Sequence, residues 1–183
     1  MNINTNLSIF ISLILRHKPE EIGIALDEHG WANVDELIDG INKSGRRIDM
    51  DILEEIVRTD EKGRYSFNEN KTLIRANQGH SIPVDVELKE VTPPDILFHG
   101  TTLRVMDSIQ REGIKPMSRL YVHLSADRKT AVTVGKRRRG ECVVLTLDTK
   151  RMGMDGVKFY LSENGVWLTK YVGWEYIIGY EIY

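Results

Sequence analysis

The sequence predicts an α+β protein of two lobes, and three observations carry that prediction. Residues 1–80 hold three amphipathic helical stretches followed by a two-stranded hairpin. Residues 96–183 hold short strand-like runs punctuated by helices and by Gly or Asn-Gly turns. Between them, residues 81–95 lack periodicity, carry an acidic piece and end near Pro93-Pro94, which marks them as a linker. A chain of 183 residues that is 41% hydrophobic is long enough to bury a core in each lobe.

The first helix is predicted from Asn6 to Leu15. Leu7, Phe10, Ile11, Ile14 and Leu15 form one stripe, and Pro19 must end it. Arg16 and His17 therefore fall in the last turn, where the helix dipole favours cations; they read either as capping residues or as part of a site. His29-Gly30-Trp31 is expected as a turn or short strand with a buried Trp. Helices follow from Asn33 to Asn42 and from Asp49 to Thr59, with Asn33 and Asp49 as their N-caps. The Lys62-Gly63 and Asn68-Glu69-Asn70 turns then bracket strands at Arg64–Phe67 and Lys71–Arg75. Three helices followed by a hairpin is the order of a winged helix. Residues 76–80 open the irregular stretch, and their loop is equally able to line a cleft between lobes.

In the second lobe a strand at Ile96–Phe98 leads into a His99-Gly100-Thr101 turn. A helix from Leu103 to Glu112 follows, with Thr102 as its cap and Gly113 closing it. After a strand at Tyr121–Leu124, Ser125 is expected to cap a helix reaching Gly135, with the basic run Lys136–Arg139 at its exit. Strands at Cys142–Leu147, Lys158–Leu161, Val166–Thr169 and Glu175–Glu181 complete the lobe, with Asn164-Gly165 as a hairpin turn.

Composition excludes several classes of protein. One cysteine, Cys142, rules out an intrachain disulfide framework and a multi-cysteine zinc site and fits a reducing compartment, so a cytoplasmic protein is expected. No run approaches the roughly 18 apolar residues of a membrane span, and the first residues lack a signal pattern; no membrane association is expected. Net charge is −2, with 10 Lys/Arg against 14 Asp/Glu in residues 1–80 and 15 against 13 in residues 81–183. An anion site must then be built from a few placed arginines rather than from a general field.

The chemical signals centre on Leu97–Ser125, where His99 and His123 each end an apolar strand-like run. Two histidines on adjacent strands would face one cleft, the expected cofactor site. No CxxC or HxxxH spacing accompanies them, so no metal is expected, and GxSxG, Walker A and GxGxxG strings are absent. An isolated basic run such as Lys136–Arg139 is ordinarily a solvated helix end, and Arg64 beside a turn is ordinarily a surface residue. Their common type suggests otherwise: each lobe offers arginine at an element end, and arginine pairs bidentately with phosphate.

The strings Leu15-Arg16-His17, Gly63-Arg64-Tyr65, Gln78-Gly79-His80-Ser81, Leu97-Phe98-His99-Gly100-Thr101, Val122-His123-Leu124-Ser125, Arg138-Arg139-Gly140 and Asn164-Gly165-Val166-Trp167-Leu168-Thr169 together resemble the RNA 2′-phosphotransferase (KptA-like) family over nearly the whole chain. The resemblance implies a winged-helix lobe joined to a lobe of the ADP-ribosyltransferase fold. It implies NAD as a consumed co-substrate and, as the other substrate, a tRNA-like RNA carrying an internal 2′-phosphate; a monomer is expected. It assigns catalysis to Arg16, His17, Arg64 and Arg138, and NAD binding to His99, Gly100, Thr101, Arg119, His123 and Ser125. The family usually has Arg-His-Gly where this chain has Arg137-Arg138-Arg139-Gly140. Counting back from Gly140 picks Arg138, with Arg137 as the alternative. Tyr121 stands where a histidine is frequent.

Two other readings compete. A winged-helix regulator needs a basic recognition helix, yet the stretch from Asp49 to Thr59 sets Asp51, Glu54 and Glu55 against Arg58. An ADP-ribosyltransferase acting on protein or on terminal nucleic-acid phosphates needs an activating carboxylate, for which Glu163 and Glu175 are the candidates.

Overall fold

The apolar stripe at the start of the chain becomes α1 (Ile3–Arg16), and Leu7, Ile11, Ile14 and Leu15 are all buried along it. The computed structural model describes residues 3–183, with side chains from residue 5 onward. Asn33 and Asp49 cap the next two helices, as their side chains predict. Asn33 Oδ1 accepts the Glu36 N–H at 3.1 Å at the start of α2 (Val34–Lys43), and Asp49 Oδ1 accepts the Ile52 N–H at 2.8 Å at the start of α3 (Met50–Thr59). Their apolar faces, Leu37 and Ile41 on α2 and Leu53 and Ile56 on α3, close over α1.

The hairpin strands β2 (Tyr65–Phe67) and β3 (Leu73–Ala76) gain a partner in β1 (Trp31–Asn33). The three make an antiparallel sheet of order β1-β3-β2. Trp31 is half-buried instead of buried, and the Arg75 guanidinium covers its ring at 4.5 Å.

Contacts divide the chain into two compact units, Met1–Glu87 and Leu88–Tyr183. The stretch 81–95, expected to be an irregular linker, is partly tied down on both sides of that division. In the first unit the Asp85 N–H donates to the Glu28 carbonyl at 2.8 Å and Val86 is buried. In the second, Lys89–Glu90 form β4. Backbone groups lying along a folded surface pair wherever a partner edge is offered.

The second unit contains two antiparallel sheets. The first is ordered β10 (Ile177–Ile182), β7 (Cys142–Asp148), β5 (Ile96–Thr102); the second is ordered β4, β8 (Tyr160–Leu161), β9 (Trp167–Thr169), β6 (Val122–Leu124). A single bridge between Phe98 and Ser125 joins β5 to the end of β6. Leu97, Val143, Leu145, Leu147, Met152 and Phe159 form the main core, with α4 (Met106–Glu112) and α6 (Thr149–Met154) contributing to it.

Several sequence expectations are corrected here. His99, Gly100 and Thr101 continue β5 in register with Leu145, Val144 and Val143 and do not form a turn. Thr102 makes no side-chain cap, and a 3-10 turn at Leu103–Val105 precedes α4. Ser125 does not cap α5 (Arg128–Gly135), because its backbone is committed to the bridge with Phe98; Asp127 caps instead, accepting the Thr130 N–H at 2.8 Å. Residues 174–176 form a 3-10 turn before β10, while α6 and β4 were not anticipated.

The role of Gly100 is packing. A Cβ there would stand 1.9 Å from the Ala131 carbonyl oxygen of α5, and one at Gly135 would stand 2.4 Å from Cys142 Sγ. The two glycines let α5 lie directly on β5. Along β5, Leu97, His99 and Thr101 share one face, while Phe98 and Gly100 take the face under α5. Replacing Gly100 by Ala is expected to lower stability by about 3 kcal/mol or more, since rigid backbone must move. Gly153→Ala, where nothing lies within 4 Å inside α6, is expected to be neutral or stabilising by up to about 1 kcal/mol. Urea denaturation of both variants checks the contrast.

Candidate active site

In the first unit the sequence-predicted residues Arg16, His17 and Arg64 come from the end of α1 and the start of β2. Tyr65 relates them. Its buried phenol donates to the Ser8 carbonyl at 2.6 Å, and burial pushes its pKa above the ordinary value. The charges of Arg16 and Arg64 both oppose that rise. Arg64 is held from behind by Asp60, whose carboxylate is nearly fully buried. One oxygen accepts the Arg64 backbone N–H at 2.5 Å and the other pairs with its guanidinium. Asp60 escaped the sequence reading; its signal was the Asp-x-x-Gly turn, closed by the Gly63 N–H on the Asp60 carbonyl at 2.8 Å.

The segment Gly79-His80-Ser81 lies against the end of α1. Gly79, at φ +91°, sits under the Arg16 side chain, and a Cβ there would be 3.6 Å from the guanidinium. His80 is 2% exposed, and its Nε2 finds no hydrogen-bond partner among the described residues. Burial, with the cations Arg16, His17 and Arg75 around it, lowers its pKa to about 4. His80 is thus neutral, a rigid spacer behind Arg16 and His17.

In the second unit, His99 Nδ1 lies 3.0 Å from the His123 carbonyl oxygen. A carbonyl only accepts, so Nδ1 carries the proton and Nε2 is the acceptor nitrogen. Burial keeps this ring's pKa low, the bond to His123 opposes that, and Arg138 and Arg119 add to the lowering. His123 Nδ1 in turn donates to the Tyr121 carbonyl at 3.1 Å. Backbone groups of alternate residues in a ladder face the same edge. Gly100 N–H and C=O therefore face the edge where Phe98 meets Ser125, not β7. Thr101 is 3% exposed and packs in the interior.

Arg119, set by a turn through the Pro116 carbonyl at 3.1 Å, has its pKa lowered by burial, then by Arg138, then by Arg137. Arg138 is the member of the basic run whose charge reaches both His99 and Arg119. Among the described residues no three His, Cys, Asp or Glu side chains are grouped as a metal site requires, and no helix is long and apolar enough to cross a membrane.

In each unit the charges of two arginines act on one buried ring, Arg16 and Arg64 on Tyr65 in the first and Arg138 and Arg119 on His99 in the second, and guanidinium is the side-chain group that pairs bidentately with phosphate. A family model described as "RNA 2'-phosphotransferase, Tpt1 / KptA family" matches residues 2–171. A probable RNA 2′-phosphotransferase of Fusobacterium nucleatum is 58% identical, covering 97% of this chain and 99% of its own length. Relatives of the same description from Flavobacterium johnsoniae and Escherichia coli are 53% and 46% identical, covering 96% and 93% of this chain and 96% and 92% of their own lengths. The chain belongs to the RNA 2′-phosphotransferase, Tpt1 / KptA family and is an enzyme of the transferase class.

The neutral state of His80 has a measurable consequence. Between pH 6.5 and about 4 the unfolded chain protonates this residue while the folded one does not, so stability falls as pH drops through that window, by on the order of 3 kcal/mol in all. His80→Gln is expected to flatten that part of the profile. Urea midpoints of wild type and variant at pH 7 and pH 4.5 should show the difference between them shrinking at the lower pH.

Proposed function

We propose that this chain is an NAD-consuming RNA 2′-phosphotransferase acting on an internal RNA 2′-phosphate. In the reaction a 2′-phosphate oxygen bonds to C1″ of the nicotinamide ribose and nicotinamide leaves. The ribose O2″ then bonds to phosphorus of the ADP-ribosylated 2′-phosphate, and the RNA 2′ oxygen leaves with a proton. The products are 2′-OH RNA, ADP-ribose 1″,2″-cyclic phosphate and nicotinamide. We read the first unit, with its three helices and three-stranded sheet, as a winged helix, and the β-rich second unit as an ADP-ribosyltransferase fold.

The observation that supports this reading is the match to the family over residues 2–171, with the charges of Arg16 and Arg64 in the first unit both acting on Tyr65. A phosphate arrives already ionised, so the site needs positioning and charge neutralisation rather than a strong base. The family resemblance assigns catalysis to Arg16, His17 and Arg64 of the first unit and to Arg138 of the second. His17, when protonated, is suited to give its proton to the departing RNA oxygen.

The residues of the second unit fit the dinucleotide. His99 offers Nε2 as acceptor for a ribose hydroxyl, and the Gly100 backbone pair suits the carboxamide of nicotinamide. Arg119 suits the pyrophosphate. His123, Thr101 and Ser125 are assigned to the same site, Thr101 through its place in β5 and Ser125 through the bridge that sets the spacing of the two histidines.

The test is incubation of the chain with NAD and a short internally 2′-phosphorylated RNA, followed by mass analysis. ADP-ribose 1″,2″-cyclic phosphate is expected, and its absence overturns the reading. Arg64→Ala and Arg138→Ala are each expected to slow its release by about 100-fold or more with folding retained. Glu163→Gln and Glu175→Gln are expected to leave turnover intact, whereas loss in either favours a carboxylate-dependent ADP-ribosyltransferase.

A further inference from the structure

Ser81 belongs to a motif to which the proposed chemistry assigns no part, yet it makes two contacts with the two residues that end α1. Its backbone N–H donates to the Arg16 carbonyl at 3.0 Å, and its Oγ lies 2.9 Å from His17 Nδ1. Two fixed points define the direction of a hydroxyl, and neighbours secure both. His80 is buried against Leu15, and Gly79 takes the positive φ that brings the segment under Arg16. Three consecutive residues thus engage Leu15, Arg16 and His17.

We propose that Ser81 is a positioning residue, its hydroxyl holding the His17 ring so that Nε2–H is the group presented to the phosphate. The inference rests on the assignment of His17 to the 2′-phosphate. A hydroxyl suits the task because it both donates and accepts. It donates to Nδ1 when the ring is neutral, which places the single ring proton on Nε2. When the ring is protonated it rotates and accepts from Nδ1–H. The ring keeps one orientation through the loss and return of its proton, and Nε2 carries hydrogen in both states. A carboxylate at this place would accept only and would favour the proton on Nδ1; the hydroxyl leaves Nε2–H as the donor.

The test is long-range nitrogen–proton NMR of the histidine rings in the full chain above the titration range, with His17 assigned by its loss in His17→Asn. Wild type is expected to show Nδ1 as the unprotonated, acceptor nitrogen of His17. A wild-type ring protonated on Nδ1 overturns the proposal without any variant. Ser81→Ala is expected to give a mixed-tautomer spectrum and to lower kcat about five- to tenfold, the scale of one exposed hydrogen bond, with KM for NAD unchanged. Ser81→Thr, which keeps the hydroxyl, is expected to restore both. Ser81→Ala with a wild-type tautomer and rate overturns the proposal. Full activity in His17→Ala would instead overturn the assignment of His17, and the spectrum would still decide whether Ser81 sets the ring.

Discussion

An α-helix ends in carbonyls that no later turn of the same helix can satisfy, and in the first unit the way α1 meets that requirement organises the rest. The Leu13 carbonyl takes the His17 and Lys18 N–H groups as Pro19 turns the chain aside. The Arg16 carbonyl is taken by the Ser81 N–H, from the far end of the unit. Closing the helix with a distant segment, instead of with a glycine after its last turn, places the Gly79–Ser81 loop against Arg16 and His17. The same contacts that stabilise the helix end aim its cationic side chains.

The second unit solves an analogous problem with backbone carbonyls as acceptors. His99 and His123 each donate Nδ1–H to a main-chain oxygen, so the tautomer of each ring follows from strand geometry. That geometry depends on β5 being a full strand paired to β7, which in turn depends on Gly100 and Gly135 admitting α5 to van der Waals contact. Packing density and site chemistry here are one constraint.

The arginines divide by their supports. Arg64 has a carboxylate behind it, which fixes the guanidinium and offsets its charge. Burial first, and then the charges of Arg138 and Arg137, lower the Arg119 pKa, and the charges of Arg138 and Arg119 also act on His99, an environment that favours an anion. Asp60 and Ser81 do related work in the first unit, each holding a residue that carries the proposed chemistry.

How much of this was legible in the sequence follows the range of the interaction. Helix periodicity, the caps at Asn33 and Asp49, the hairpin at Arg64–Arg75 and the Asn164-Gly165 turn were all readable, because each is decided within a few residues. So was the family, through the set of short strings that carry the resemblance. What misled was local signal overruled at a distance. Gly100 looked like a turn but is the seat of a helix thirty residues on, and Ser125 looked like a cap but is bound to Phe98. The partners of the functional side chains were not readable at all: Ser81 meets His17 across 64 positions, and His80 is neutral only because the fold buries it among cations. The sequence by itself determined which groups carry charge and where helices and strands begin; only the tertiary structure decided which carbonyls those groups bond, how deeply they are buried and hence which nitrogen holds each proton.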